Sequence, residues 1–287
     1  MNKKCQYIAL KDNRNLGFAE YGTESGFPVI YCHGSQSSRY EMHYDMEFAV
    51  QKNLRIITID RPGHGLSEYN PKGSVLSFAN DVMELVAHLN IEKFSVAGMS
   101  AGSPFALALA YSFPERIHKV CIISGFAPFN VESKKYLAKE VKTMLGLAKS
   151  MPFLLKMMLK IQRKQLAKNP KKALAGFLKI MSAPDQKVLK NEKVMQVIEQ
   201  MFTEAFRGGS QGVAYEISKL LVQDWKFNLK DIEVPVTFWQ GKEDNNVPYQ
   251  WAELMQNKIQ NSNLQLFEKE GHLIIFNHAA EIFNSLK

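Results

Sequence analysis

The amino-acid sequence predicts an α/β protein, with a mostly parallel sheet interrupted once by a helical insertion. Short apolar runs bounded by turn residues alternate with helical patterns over the first 125 residues, as in successive βαβ units. From about Pro128 to Trp225 the chain is helical throughout and rich in Lys, Met and Leu. Strand patterns then return. We therefore expect an α/β core formed by residues 1–127 and 228–287, and a helical cap formed by residues 128–227.

The strands are predicted from short runs of apolar and β-branched residues, and the first two form a hairpin. They are Gln6–Leu10, Leu16–Tyr21, Pro28–Cys32, Arg55–Asp60, Phe94–Gly98, Val120–Ser124, Val236–Gln240 and Leu264–Phe267. Apolar residues at helical spacing predict helices in the core over Ser77–Leu89, Ala101–Tyr111, Pro248–Lys258 and Ile274–Leu286. Ligands of such sheets bind at the carboxyl ends of the strands, so a functional cap has to lie there.

Composition is that of an ordinary globular protein, with 287 residues, 46% hydrophobic and 22% charged. No apolar run is long enough to span a membrane, and no apolar segment follows Lys3-Lys4, so we expect no signal peptide and a cytoplasmic location. The three cysteines, Cys5, Cys32 and Cys121, are odd in number and lack paired spacing. We expect neither a disulfide framework nor a metal site, and no cofactor.

The net charge of +8 is unevenly distributed. Residues 131–230 contain 20 Lys and Arg against 8 Asp and Glu, a net charge of +12, which leaves −4 for the remainder. This segment also holds an apolar run, 151–161, that ends at Arg163-Lys164. A solvated lysine-rich helical face is the favoured interpretation. Association with a membrane surface stays open but is not expected, and nothing indicates nucleic-acid binding.

The segment 96–102, Val-Ala-Gly-Met-Ser-Ala-Gly, places a G-x-S-x-G motif between a predicted strand and a predicted helix. This context is the one in which a serine stands on a sharp turn above the sheet. Gly98 and Gly102 are small enough for the strand and helix to approach closely. Ser100 is therefore the candidate nucleophile.

A serine hydroxyl needs a base, and a histidine base needs an orienting acid. His272 lies in a loop between the last predicted strand and the last helix, and it is the preferred base over His278 in that helix. Asp244 follows the strand Val236–Gln240 and lies between the serine and histidine in the sequence. Its neighbour Glu243 is the competing acid.

An oxyanion hole requires two N–H groups directed at the developing negative charge. We expect one from Ala101, directly after the nucleophile, and one from Ser35 in the loop that follows Pro28–Cys32. The Ser35 side chain would add a further hydrogen bond, but helix N-capping by Ser35, Ser37 or Ser38 is at least an equal alternative for these hydroxyl groups. We also expect five residues beside these positions to contact substrate: His33, Gly34, Met99, Phe126 and Phe129.

Together these segments resemble the α/β-hydrolase superfamily, in its capped esterase-like branch. The matching landmarks are His33-Gly34, 60–67 (Asp-Arg-Pro-Gly-His-Gly-Leu-Ser), 98–102, 241–248 and Gly271-His272. They occur in the expected order and cover everything except the helical middle. The resemblance implies an eight-stranded, mostly parallel sheet with a lid inserted after the sixth strand. The resemblance does not identify the substrate.

The function expected from these residues is hydrolysis of a carboxylic ester or thioester with a small to medium apolar substrate, through an acyl-Ser100 intermediate. The same triad would also serve acyl transfer, amide cleavage or carbon–carbon bond hydrolysis. A third hypothesis is a ligand-binding protein without turnover. The expected partner is a small ester-type substrate, bound to a monomer or a homodimer.

Overall fold

The computed structural model describes residues 2–44 and 46–287, and in them a single sheet of eight strands lies between layers of helices. The strands are β1 (Asn2–Ala9), β2 (Asn15–Gly22), β3 (Phe27–Cys32), β4 (Leu54–Ile59), β5 (Phe94–Met99), β6 (Ile117–Ile123), β7 (Val236–Gly241) and β8 (Ser262–Phe267). They match the predicted strands to within a few residues at each end.

The strand order is β1-β2-β4-β3-β5-β6-β7-β8. β1 and β2 form the predicted antiparallel hairpin, and β2 pairs antiparallel with β4. The remaining neighbours are parallel. The predicted eight-stranded, mostly parallel sheet is therefore confirmed. The chain progresses in opposite directions from β3, so β3 and β5 flank the switch point at which open α/β sheets bind ligands.

Helices cover both faces because successive strand residues point to opposite sides. Ile57 of β4 and Val96 of β5 lie in one core with Phe78 and Phe105, and Ile56 lies in the second core, with Phe283. The helices of the core are α1 (Glu47–Gln51), α2 (Val75–His88), α3 (Ser103–Ser112), α10 (Gln250–Gln256) and α11 (Ile275–Asn284).

A helical segment connects β6 to β7. It contains α4 (Lys139–Ser150), α5 (Pro152–Lys168), α6 (Pro170–Lys179), α7 (Ala183–Val188), α8 (Glu192–Ala205) and α9 (Gln211–Tyr215), which continues as a π-helical turn (Glu216–Leu221). These helices have their own apolar core, which Tyr40 and Leu273 join from loops after β3 and β8. The segment thus packs on loops at the carboxyl ends of the strands. The domain boundaries at 127/128 and 227/228 stay a prediction.

The helices that the structure describes include none with both the length and the apolar character needed to cross a bilayer. Cys32 and Cys121 are buried in β3 and β6, and burial raises the pKa of the Cys32 thiol to about 12. Both therefore stay protonated and contribute only to packing.

Candidate active site

Ser100 stands at the turn between β5 and α3, in a left-handed backbone conformation with φ of 50°. The turn can be this sharp because the residues two positions before and after Ser100 are glycines. A Cβ on Gly102 would lie 2.0 Å from the Cys32 carbonyl oxygen, and one on Gly98 would lie 2.8 Å from Cβ of Ala106. Ser100 itself is partly exposed. The G-x-S-x-G segment thus forms the strand–turn–helix arrangement expected of it.

His272 and Asp244 form a hydrogen-bonded pair, with 2.8 Å between His272 Nδ1 and Asp244 Oδ2. Asp244 is held in turn by the N–H groups of Asn246 and Val247, each 2.8 Å from Oδ1, and by the Gln240 amide at 3.1 Å from Oδ2. These donors fix the carboxylate, and the carboxylate fixes the imidazole with its Nδ1–H toward the acid. The His272 Nε2 atom is left to face a substrate or nucleophile.

Burial alone would lower the pKa of His272, but the Asp244 carboxylate outweighs it through charge and hydrogen bonding. The pKa is raised above the ordinary value of 6.5, with smaller contributions from Asp185 and Glu41. The Asp244 carboxylate thus favours the protonated imidazole, which makes His272 a better proton acceptor, as a general base requires.

The chain after β6 links the serine to the histidine. Ser124 Oγ donates a hydrogen bond to the His272 carbonyl at 3.0 Å, and the Phe126 N–H donates to the Ser100 carbonyl at 3.0 Å. Ser124 was expected to end the strand, but β6 ends at Ile123 and Ser124 has a positive φ of 46°. Among the described residues no hydrogen bond joins Ser100 to His272. Such bonds are often long in free enzymes and tighten when substrate binds.

The competing acid, Glu243, and the competing base, His278, do not take part in the pair formed by Asp244 and His272. Glu243 is exposed, and within the part of the chain that the structure describes its hydrogen bond is made by the backbone N–H, to the Glu270 carbonyl. His278 lies at a kink in α11, with Glu270 at 3.1 Å and Glu281 at 3.3 Å from its ring nitrogens. The geometry therefore favours Asp244 over Glu243 and His272 over His278.

The loop after β3 directs a backbone N–H group into the site. The Gly34 carbonyl accepts hydrogen bonds from Arg61 Nη2 at 2.9 Å and from His33 Nδ1 at 2.8 Å. Because a trans peptide places N–H and C=O on opposite sides, the Ser35 N–H points away from Arg61. It has no acceptor among the described residues. A Cβ on Gly34 would lie 3.7 Å from Cβ of Ser100, so this peptide borders the nucleophile.

Ala101 provides the second predicted donor. It lies in the first turn after Ser100, and the first N–H groups of a helix have no acceptor within the helix. Both predicted oxyanion donors therefore belong to segments adjoining Ser100, which follow the neighbouring strands β3 and β5.

A buried carboxylate, Glu41, lies behind the same loop. It accepts hydrogen bonds from the Gly34 N–H at 2.8 Å and the Tyr31 hydroxyl at 3.1 Å. Burial raises the pKa of Glu41. Since the Gly34 N–H is occupied by Glu41, the next N–H along the chain, that of Ser35, is the one available to a ligand.

The helical segment contributes Asp185, which holds the loop carrying the base. Its two oxygens accept hydrogen bonds from the N–H groups of His272 at 3.0 Å and Leu273 at 2.7 Å, and from Ser182 Oγ at 2.8 Å. A Cβ on Gly271 would lie 2.4 Å from Asp185 Oδ2, so only glycine permits this approach. The position of the base thus depends on α7.

A second acid of the helical segment acts on the loop after β3 that carries the predicted oxyanion donor Ser35, which we call the oxyanion loop. Glu216 forms a bidentate ion pair with Arg61, at 2.5 Å to Nε and 2.9 Å to Nη2, and both side chains are buried. Arg61 also donates to the carbonyl groups of His33 and Gly34. Glu216 therefore fixes the arginine that orients the Ser35 N–H.

The five residues predicted to contact substrate differ in their surroundings. His33 is fully buried: its Nε2 accepts the Arg61 N–H at 3.2 Å, and burial, followed by the charge of Arg61, holds its pKa well below 6.5. The structure thus gives it a positioning role in the loop. Gly34 borders Ser100, as described. Met99, Phe126 and Phe129 are buried in the two cores of the sheet, and their contact with substrate stays a prediction.

Sequence reasoning did not identify Glu41, Asp185 and Glu216 as part of the site. Arg61 enters the sequence analysis only as part of the motif 60–67. A signal was present for Arg61, since the motif 60–67 immediately follows a buried strand. None was present for Asp185 and Glu216, whose partners are 87 and 155 residues away in sequence.

Comparison with known proteins agrees with the fold. The family model of the α/β hydrolase fold matches residues 28–279. The chain is 26% identical over 263 residues to an uncharacterised hydrolase, YcgS, of Bacillus subtilis (strain 168), covering 90% of this chain and 89% of the relative. It is 25% identical over 265 residues to a bifunctional esterase/perhydrolase of Acinetobacter calcoaceticus, covering 88% of both.

Solved structures give the same result for the fold. An esterase from Exiguobacterium antarcticum matches with a TM-score of 0.72 at 22% identity, covering 99% of this chain and 97% of the other. A bromoperoxidase from Bacillus anthracis matches with a TM-score of 0.74 at 20% identity, covering 98% and 97%. Since the family model covers most of the sequence and the sheet agrees with it, the chain belongs to the α/β-hydrolase fold family.

Proposed function

We propose that this chain is a serine hydrolase that cleaves a carboxylic ester or thioester through an acyl-Ser100 intermediate. The observation that carries the proposal is the pair His272–Asp244, 2.8 Å apart, in loops beside the strand end that presents Ser100. A serine, an acid and a histidine in this chain order, Ser100, Asp244 and His272, are the parts of the triad of the fold. A solely ligand-binding protein has no need of a base oriented by a buried acid.

The chemistry follows from the roles of these groups. Ser100 Oγ attacks the substrate carbonyl carbon while His272 Nε2 accepts the hydroxyl proton. The N–H groups of Ser35 and Ala101 stabilise the oxyanion that forms. The imidazolium then protonates the leaving alcohol or thiol, and the acyl group stays on Ser100. Water, deprotonated by His272, then attacks the acyl carbon. The bond to Ser100 Oγ breaks, the imidazolium returns the proton to Oγ, and the carboxylic acid leaves with Ser100 regenerated.

Hydrolysis of p-nitrophenyl esters across a range of acyl lengths tests the proposal. We expect Ser100→Ala and His272→Ala to lower kcat by about 10⁶-fold and Asp244→Asn by about 10⁴-fold. Ser112→Ala, at the other end of α3, is the matched control and should retain activity. Turnover that survives Ser100→Ala would overturn the proposal, and so would a wild-type chain that hydrolyses no ester. The acyl length preferred by the wild type would define the size of the pocket.

A second acceptor for the acyl group is suggested by one relative, the bifunctional esterase/perhydrolase of Acinetobacter calcoaceticus. If hydrogen peroxide replaces water in the second step, the product is a peracid and Ser100 is regenerated as before. Peracid formation from an ester and hydrogen peroxide, absent in Ser100→Ala, is the result expected if this chain shares that activity. Release of the carboxylic acid alone would restrict the chain to hydrolysis.

A further inference from the structure

The helices α4 and α5 expose apolar side chains on a strongly basic surface. Six of these side chains are between 46% and 62% exposed, and we refer to them as the cap face: Met144, Leu147, Phe153, Met157, Met158 and Ile161. Monomeric proteins seldom leave clustered large apolar side chains in water without a use for them.

The arrangement on α5 is that of an amphipathic helix with an unpartnered apolar side. Phe153, Met157 and Ile161 follow one another at intervals of four residues and share one side of the helix. Leu159 and Leu166, which are buried in the core of the helical segment, lie about 180–200° around the helix from Met157. The exposed apolar stripe is therefore separate from the side that packs on the protein.

The α4 helix also exposes apolar side chains. Met144 and Leu147 are exposed, while Leu145 and Ala148 on the same helix are buried. α4 and α5 contact each other and are joined through the single residue Met151. These two neighbouring helices thus both expose apolar side chains to solvent.

The charge around the cap face is almost entirely positive. Between Lys139 and Lys179 there are eleven basic residues and one acidic residue, Glu140, a net charge of +10 (11 − 1). No ion pair within the described ranges 2–44 and 46–287 involves any of these basic side chains. Their charge is therefore available to an external partner.

We propose that the cap face docks on the surface of an anionic lipid membrane. Apolar side chains that enter the boundary between headgroups and acyl chains, with lysines beside them that contact anionic headgroups, are how interfacial helices bind. A second copy of this chain would bring two surfaces of like charge together, which disfavours a dimer through this face. A nucleic acid would use the lysines but leave the apolar stripe without a function.

Membrane docking goes beyond the proposed hydrolase function and does not depend on it. A chain docked by this face would hold the helical segment, and with it the loops that Asp185 and Glu216 fix, against the bilayer. Apolar esters concentrate in that environment. Binding itself requires no catalysis, so Ser100→Ala should dock as the wild type does.

Flotation of the full chain with vesicles tests the docking. We expect binding to phosphatidylcholine vesicles that contain phosphatidylglycerol, release by high salt, and little binding to phosphatidylcholine alone. The triple variant Phe153→Ser/Met157→Ser/Ile161→Ser and the charge variant Lys160→Gln/Lys164→Gln should each reduce binding by about tenfold or more. These side chains are exposed, so the variants should fold, which thermal unfolding checks.

The matched controls change similar side chains outside the cap face. Val50→Ser removes an exposed apolar residue of α1, and Lys72→Gln/Lys93→Gln removes two exposed lysines of the core. Both should bind vesicles as the wild type does. Absence of binding to anionic vesicles, or equal loss in control and cap-face variants, would overturn the proposal. A dimer in solution that the triple serine variant converts to a monomer would also overturn it, in favour of a second copy as the occupant.

Discussion

Part of the strained backbone lies where the chemistry is expected. Of the seven non-glycine residues with positive φ in the described chain, three lie in the segments that follow β3, β5 and β6: Gln36, Ser100 and Ser124. Such conformations cost about 1–3 kcal/mol each and persist only when the surroundings impose them. At Ser100 the close contact of Gly102 with the β3 end imposes it. At Ser124 the hydrogen bonds to His272 and Trp239 do so.

The proposed base, His272, should set the dependence of activity on pH. Its pKa is raised above 6.5, and it accepts a proton only when neutral, so kcat/KM should rise with pH through a value higher than 6.5. A pH profile of kcat/KM for an ester substrate measures this pKa directly. An acidic limb centred below 6.5 would contradict the stabilisation of the imidazolium by Asp244.

The elements differ in how far the sequence determines them. The turn at Ser100 was predictable, because Gly98, Ser100 and Gly102 occupy fixed positions between an apolar run and a helical pattern. The contact of Asp185 with the loop that carries His272 was not predictable. A single acid in a short helix of a lysine-rich segment is most simply predicted to be solvent-exposed. Only the packing of α7 on the loop after β8 reveals it.

Asp185→Asn should impair the base without removing it. Asparagine offers one carboxamide oxygen in place of two, so at least one hydrogen bond to the backbone of His272 or Leu273 is lost. We expect kcat to fall about ten- to a hundredfold through misplacement of the imidazole. The acidic limb of the pH profile should move to lower pH, since a carboxylate that raises the pKa of His272 is gone.

The control for this variant is Asp224→Asn, which changes an exposed aspartate that pairs with Lys226. Its kcat and pH profile should match the wild type. If Asp185→Asn also leaves both unchanged, the hydrogen bonds from α7 do not position the base.

In the molecule as a whole, acids of the helical segment hold loops of the core. Asp185 holds the loop of the base, Glu216 binds Arg61 beside the oxyanion loop, and Glu204 lies 2.8 Å from Arg39, which also pairs with the buried Asp60. The helical insertion could be predicted from composition, but its role could not. The net charge of +12 reflects the many lysines of the segment. The ion pairs and hydrogen bonds just described are made instead by three of its few acids.

Two variants distinguish whether the buried pair Arg61–Glu216 stabilises the fold, positions the loop after β3, or does both. Glu216→Leu leaves a buried arginine without its partner and should lower the free energy of unfolding by about 3–5 kcal/mol. The double variant Arg61→Met/Glu216→Leu removes both charges and should recover part of that loss in a denaturant titration. Its kcat should stay low, because the Gly34 carbonyl has lost a donor and the Ser35 N–H is no longer held. A double variant with wild-type kcat would assign the pair to stability alone.

The most direct test of the proposed chemistry is covalent labelling of the nucleophile. The full chain is treated with a fluorophosphonate probe, and the adduct is counted by intact mass and located by peptide mapping. We predict one adduct per chain, on Ser100, formed faster as pH rises through the pKa of His272 and absent in Ser100→Ala. A wild-type chain that forms no adduct, or carries it on another residue, would contradict the assignment of Ser100 as the nucleophile.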